Sequence, residues 1–413
     1  MSYRQFVSRV PAFVRAASAV AVLGAISSLS ACGGGSSTPP TPIVSNAAGD
    51  LVSMQSNVAG NTYANTSAVQ KIRYRMKAVN GGLTEANAVL FIPKGVAPTG
   101  GWPLVVWAHG TTGVADACAP SRSVFAEDSD AIAPLLNAGF AVLAPDYEGL
   151  DAPGIHPYLI ADSEANSILQ AVVAAHKIES GKLSKKWAVL GHSQGGHAAL
   201  ATAQRASEVQ SDFPLVATVA LAPGSDVSLI TDIDFASIKE LTGSGQAPLA
   251  WGVAGNLNGY GSFLLHGATA IAPNLDLNKY VGDDLKPLLS LAKDDRDCQQ
   301  FGTALGMKIT SLAVAGQSPL DFKGIKADWY TNPEIKALLP RTEVGKVKLS
   351  VPVFMAHGDA DIDVPIGATR QLETIMRQLG TNVEVKYVSG LDHNAIVLDQ
   401  MPAAISFIKS KWQ

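Results

Sequence analysis

Trp187-Ala188-Val189-Leu190-Gly191-His192-Ser193-Gln194-Gly195-Gly196 opens on a four-residue apolar run, breaks into glycine, and leads into an alanine-rich stretch over 197–209. The apolar run reads as a buried strand, the alanine-rich stretch as a helix, and the segment between them as a sharp turn. Glycines bracket Ser193 because a Cβ beside it would clash as the chain reverses. A strand that turns directly into a helix is the building unit of a wound α/β sheet.

Working outward, short runs rich in apolar and β-branched residues recur at 103–108 (PLVVWA), 140–144 (FAVLA), 215–221 (LVATVAL), 351–356 (VPVFMA) and 383–388 (VEVKYV). Most read as strands of a parallel sheet buried on both faces. Ahead of them, 73–79 and 86–92 alternate around Asn80-Gly81-Gly82, the pattern of an antiparallel hairpin. Helical patterns separate the strands: 163–177 begins with a capping residue, Ser163, and Leu372, Ile375, Met376 and Leu379 fall at helical spacing before Gly380, a C-cap. The expectation is a mostly parallel, doubly wound α/β sheet. Residues 224–346 break the alternation, being apolar, Gly/Asn-rich and helical in pattern, and read as a large insertion between two strands. The sheet domain is then 49–223 with 347–413.

The 413 residues are 47% apolar and 16% charged, which excludes a disordered or fibrous chain. With 31 basic against 35 acidic side chains and no basic run beyond a pair after the leader, the footprint of a nucleic-acid binder is missing. Arg4, Arg9 and Arg15 precede an uncharged apolar run over 16–29 that closes on Ser30 and Ala31, so 1–31 reads as an export signal. Leu29-Ser30-Ala31-Cys32-Gly33 resembles the bacterial lipoprotein cleavage box. That resemblance implies an acylated Cys32 and membrane attachment, with an ordinary cleaved signal as the alternative. Residues 32–48 then form a flexible tether, and the mature domain is periplasmic or extracellular. Cys118 and Cys298 remain as an even pair in an oxidising compartment, where a disulfide is the simplest reading and two buried thiols the alternative.

Gly191-His192-Ser193-Gln194-Gly195 fits G-x-S-x-G between strand and helix. This geometry exposes the Ser193 hydroxyl at the sheet's carboxyl edge and aims the Gln194 amide at a developing oxyanion. His109-Gly110-Thr111-Thr112-Gly113 closes the 103–108 strand, where the Thr111 amide can supply a second donor. His357-Gly358-Asp359-Ala360-Asp361-Ile362-Asp363-Val364-Pro365 follows another strand, and His393 follows the last one. The order serine, acid, histidine matches the α/β-hydrolase triad, and the pattern H-G-x-x-D-x-x-V-P puts Asp361 at the acid position, with Asp359 the alternative.

The segment HGTTGVADACAPS (109–121), the elbow GHSQGG and the long insertion before the acid strand resemble the secretory lipases of fungi and bacteria, within the α/β-hydrolase superfamily. The resemblance implies an α/β-hydrolase fold, an insertion acting as a lid or cap over an acyl-binding tunnel, and a disulfide from the CAPS cysteine to the cap, which Cys118 and Cys298 would form. It implies a lipid-anchored esterase or lipase acting on ester or lipid substrates through an acyl-enzyme, without cofactor. A peptidase of the same superfamily is disfavoured because no gating domain precedes the sheet, and a non-catalytic surface module because every catalytic position is filled. His192, His197, His109 and His357 read as packed or hydrogen-bonded residues. His156, His176 and His266 have no partners at metal-ligand spacing, no zinc site is expected, and Asp294-Asp295-Arg296-Asp297 reads as a solvated loop rather than a calcium site.

Overall fold

The computed structural model describes residues 47–58, 60 and 63–412. The export signal, Cys32 and most of the tether lie outside the described residues. Nine strands form one sheet: β1 (Leu51–Ser56), β2 (Thr66–Lys77), β3 (Leu83–Pro93), β4 (Trp102–Ala108), β5 (Ala141–Pro145), β6 (Leu183–His192), β7 (Leu215–Leu221), β8 (Val353–Gly358) and β9 (Val383–Val388). Their spatial order is β1-β2-β3-β5-β4-β6-β7-β8-β9. The β1–β2, β2–β3 and β3–β5 pairs are antiparallel, and every pair from β5–β4 to β8–β9 is parallel. From β4 the chain steps to β5 on one side and then crosses to β6 on the other. This topological switch opens a crevice at the strands' carboxyl ends.

Alternation along each strand builds a core on either face. Leu104, Val106 and Ala108 of β4 join Trp187 and Val189 of β6 on one face, where helices α2 (Ala161–Ile178), α3 (Gln194–Arg205) and α7 (Ile366–Gln378) pack. Val105, Trp107, Ala188 and Leu190 point to the other face, covered by α1 (Ser129–Asn137) and α8 (Ala395–Ser410). The expected wound sheet is therefore present.

Three local expectations change. Ser163 does not cap α2: the helix starts earlier, with Ile160 at the N-cap, and the Ser163 hydroxyl inside it donates to Glu148 Oε2 at 2.5 Å. The helix read over 197–209 ends at Arg205. Strand β1 was not expected at all, because all six of its residues are exposed and carry no buried-face alternation.

Between β7 and β8 lies a cap with its own apolar core, built on α4 (Val227–Gly243), α5 (Ala247–Ala268) and α6 (Gln300–Val314). Along α5, Gly252, Gly255 and Gly259 fall on one face at helical spacing and line, with α6, a cavity of about 600 Å³. No helix among the described residues is long and apolar enough to cross a membrane.

Cys118 and Cys298 form a disulfide across 180 residues of sequence, joining the segment after β4 to the cap. We expect the Cys118→Ala/Cys298→Ala double variant to lose about 2–5 kcal/mol of stability, read from denaturant midpoints. Thiol titration of the unfolded Cys32→Ser protein should find no free thiol before reduction and two after it. Two thiols before reduction would contradict the bond.

Candidate active site

Strand β6 ends and α3 begins with no loop between them, and Ser193 alone makes the turn at φ 58°, ψ −119°. A non-glycine residue is costly there, by about 1–3 kcal/mol, and persists only where its surroundings enforce it. Two backbone hydrogen bonds do so: Ser193 N donates to Leu221 O at 2.9 Å, and His197 N to Ser193 O at 3.1 Å. The neighbouring glycines leave no alternative. A Cβ on Gly195 would lie 1.8 Å from the Ala108 carbonyl oxygen, and one on Gly191 2.1 Å from that of Gly195.

His393 stands on the loop after β9. Its Nδ1 donates to Asp361 Oδ2 at 2.6 Å, while its Nε2 is buried without a hydrogen-bond partner among the described residues. The other Asp361 oxygen accepts the amides of Asp363 (2.8 Å) and Val364 (2.9 Å), and His357 Nε2 lies 3.0 Å from Oδ2. Burial by itself would push the Asp361 carboxyl up, but the facing His393 and His357 outweigh it and hold the group well below the usual carboxylate range. For His393, burial pulls the imidazole pKa down, and the Asp361 charge and hydrogen bond overcome it, so the net shift is upward. Asp359 is elsewhere: its Oδ1 accepts the Gly390 amide at 2.6 Å.

Gln194 occupies the first turn of α3, where amides have no intrahelical acceptor. Among the described residues neither its amide nor that of Thr111 finds a hydrogen-bond acceptor, and the Thr111 hydroxyl pairs with Tyr158 Oη at 2.7 Å. His192 Nε2 donates to the His393 carbonyl at 2.7 Å, tying the serine turn to the histidine loop. Burial holds His192 neutral, well below its ordinary pKa.

Beneath the turn is a polar network that sequence reasoning missed. The fully buried Glu164 of α2 accepts Gln194 Nε2 (2.9 Å) and His197 Nδ1 (2.5 Å). His197 Nε2 lies 2.9 Å from the Thr342 carbonyl oxygen. Both ring nitrogens face acceptors, so His197 is an imidazolium. Burial works against that charge, but Glu164 raises the His197 pKa. Gln194 Nε2 also donates to His156 Nε2 at 3.0 Å, and burial drives His156 down to about 3, leaving that nitrogen a free acceptor. A serine turn predicts a fixed neighbour, but nothing in ADSEANSILQ separates a buried glutamate from a solvated one.

Two cavities that share Tyr260 lie between the cap and the sheet domain. One of about 70 Å³ touches Ser193, Gln194, Tyr158 and the cap residues Asp234 and Tyr260. The 600 Å³ cavity touches Thr111, Thr112, Cys298 and Tyr260 but not Ser193. Tyr260 stands between the two and donates to Asp363 Oδ1 at 2.8 Å, so the cap is fastened to the acid loop. Asp146 lines neither cavity; its Oδ1 accepts the Ser121 amide, and burial raises its carboxyl to about 7. Asp294 pairs with exposed Arg296, and Asp295 accepts the Asp116 amide. Among the described residues no three His, Cys, Asp or Glu side chains are grouped to hold a metal.

Removing one partner of a buried ion pair strands the other. Glu164→Gln should therefore cost about 3–5 kcal/mol near pH 6. The His197 contribution is present below its unfolded pKa, about 6.5, and fades as pH rises through the raised folded value. Urea titrations of both proteins should show the deficit shrinking toward pH 9; a deficit that grows with pH would refute the assignment of charge to His197.

The profile of the alpha/beta hydrolase family matches residues 105–405. A search of curated protein sequences found no match. Among solved structures, the rice cell wall degrading esterase LipA from Xanthomonas oryzae is similar at 21% identity and TM-score 0.64, covering 88% of this chain and 98% of its own. A putative hydrolase from Legionella pneumophila is similar at 19% identity and TM-score 0.67, covering 87% and 97%. Lipase A of Candida antarctica in its closed state is similar at 15% identity and TM-score 0.65, covering 88% and 82%.

Proposed function

The chain belongs to the alpha/beta hydrolase family, and from that premise we propose that it is a serine hydrolase of carboxylic esters, an esterase or lipase working through an acyl-enzyme. One observation carries the reading: a serine held at a strained turn whose neighbour His192 is hydrogen-bonded to and packed on His393, a buried imidazole with Nδ1 bound to a carboxylate and Nε2 without a partner among the described residues. In this reading Ser193 Oγ attacks the ester carbonyl carbon and His393 Nε2 takes its proton. Asp361 fixes the tautomer and stabilises the imidazolium. The amides of Gln194 and Thr111 receive the negative oxygen. His393 then returns the proton to the departing alcohol, and water repeats the sequence on the acyl-enzyme.

The cavities support the ester assignment. An ester has two arms, and two cavities share the Tyr260 wall, the smaller of them lined by Ser193. The larger one is apolar, walled by Trp251, Phe263, Phe301 and Leu305, and suits a hydrocarbon arm. Esterase and lipase in the names of the similar structures agree with this reading.

Export and anchoring belong to the same proposal. Arg4, Arg9 and Arg15, the apolar run behind them, and Leu29-Ser30-Ala31-Cys32 support a lipoprotein whose catalytic domain stands off a membrane on residues 32–48.

With 4-nitrophenyl butanoate as substrate, Ser193→Ala should lower kcat by roughly a million-fold, since loss of one triad member disables the unit. Retention of a tenth of the activity would exclude Ser193 as nucleophile. The base must be neutral to act. Because the Asp361 pairing raises the His393 pKa, the acid limb of the kcat/KM profile should have its midpoint above about 6.5, with activity rising as pH increases through it. A profile flat to pH 4 would exclude a histidine base.

Cys32→Ser should move the protein from the membrane fraction to the soluble one with ester turnover unchanged. A variant that stays with the membrane would contradict acylation at Cys32.

A further inference from the structure

Asp234 sits mid-helix in α4 of the cap, 5% exposed, on the wall of the cavity that reaches Ser193. Its carboxyl has no hydrogen-bond or ion-pair partner among the described residues. The rest of that wall is largely apolar (Leu159, Val227, Ile230, Leu257, Leu264) and includes no lysine or arginine. Leaving such a group unbonded is costly, and no hydrogen bond or ion pair to the rest of the described residues accounts for it. We propose that Asp234 is a substrate-binding group, set by the cap over the serine turn to hydrogen-bond a hydroxyl on one arm of the ester. This deepens the ester-hydrolase reading and rests on it.

A hydroxyl fits better than a cation. Burial, reinforced by the charges of Asp361 and Asp363, pushes the Asp234 carboxyl well above the usual range, which favours its neutral form. A neutral acid both donates and accepts, as a hydroxyl does. An ammonium would have to shed its water against a wall that is largely apolar, a cost that a neutral hydroxyl avoids. A plain hydrocarbon arm would leave the acid unbonded in a closed pocket, which is the penalty that lets a hydrogen-bonding site reject an analogue lacking the group.

The test compares kcat/KM within matched pairs: 4-nitrophenyl 3-hydroxybutanoate against 4-nitrophenyl butanoate for the acyl arm, and 3-hydroxypropyl against propyl butanoate for the alcohol arm. Wild-type protein should favour the hydroxylated member of one pair by about tenfold, the worth of one buried hydrogen bond. Asp234→Leu should bring that ratio to about one and should melt no lower than wild type. Asp234→Ala should flatten the ratio too, and Asp234→Asn, which still donates and accepts, should keep most of it. Ratios that Asp234→Leu and Asp234→Ala leave unchanged in both pairs would overturn the role. So would selectivity confined to a third pair, butyrylcholine against 3,3-dimethylbutyl butanoate, because that would mean a cation site. If wild-type protein hydrolyses none of these esters, the underlying esterase reading fails; if it hydrolyses them without Asp234-dependent selection, only the present inference fails.

Discussion

The structure depends on one backbone contact, the approach of α3 to the end of β4. The Gly195 backbone lies so close to the Ala108 carbonyl that no side chain fits between them. That contact brings the N-terminal turn of α3 against the segment that starts the His109–Gly113 loop. The amides of Gln194 and Thr111, neither hydrogen-bonded among the described residues, thereby come to the same edge of the sheet. The positive φ of Ser193 is the local consequence. The strain is held by hydrogen bonds to Leu221 and from His197, so it cannot relax without unpairing β7 or the first turn of the helix.

Around that contact, polar groups are arranged so that each fixes another. His192 holds the loop of His393 by its carbonyl, His393 meets Asp361, and Asp361 is fixed by two amides of its own loop. The cap shares these fasteners. Tyr260 reaches Asp363, Asn256 Nδ2 donates to the Ile362 carbonyl, and the His197–Glu164 pair ties the serine helix to Thr342 on the returning chain. Through the Cys118–Cys298 bond the cap is also joined to the segment after β4. Rigid-body movement of the cap away from the sheet would therefore break contacts to the loop that holds Asp361.

The sheet was largely legible because its central strands are buried on both faces and advertise this as unbroken apolar runs such as PLVVWA and LVATVAL. Their mutual order was not, since pairing is set by crossovers that no single strand encodes. The serine turn was legible because its sterics demand glycines at fixed offsets. Asp361 could be preferred to Asp359 only by pattern; in the structure Asp361 faces His393 while Asp359 binds Gly390. Glu164 and Asp234 could not be read at all. Each lies two residues from an exposed acid of the same helix, Asp162 and Asp232, the usual signature of a solvated face, and only tertiary packing turns Glu164 and Asp234 inward. Ser163 misled for the converse reason: a serine near a helix start normally caps it, but here α2 begins two residues earlier and the hydroxyl serves the buried Glu148 instead.

The central claim is that the strained Ser193 is a nucleophile activated by His393. Intact-protein mass spectrometry after exposure to a fluorophosphonate tests it most directly. At pH 8 the wild-type chain should gain the mass of one phosphonyl group, peptide sequencing should put that group on Ser193, and the labelling rate should fall steeply as pH drops below the His393 pKa. An unlabelled protein, or an adduct on any other residue, would contradict the account.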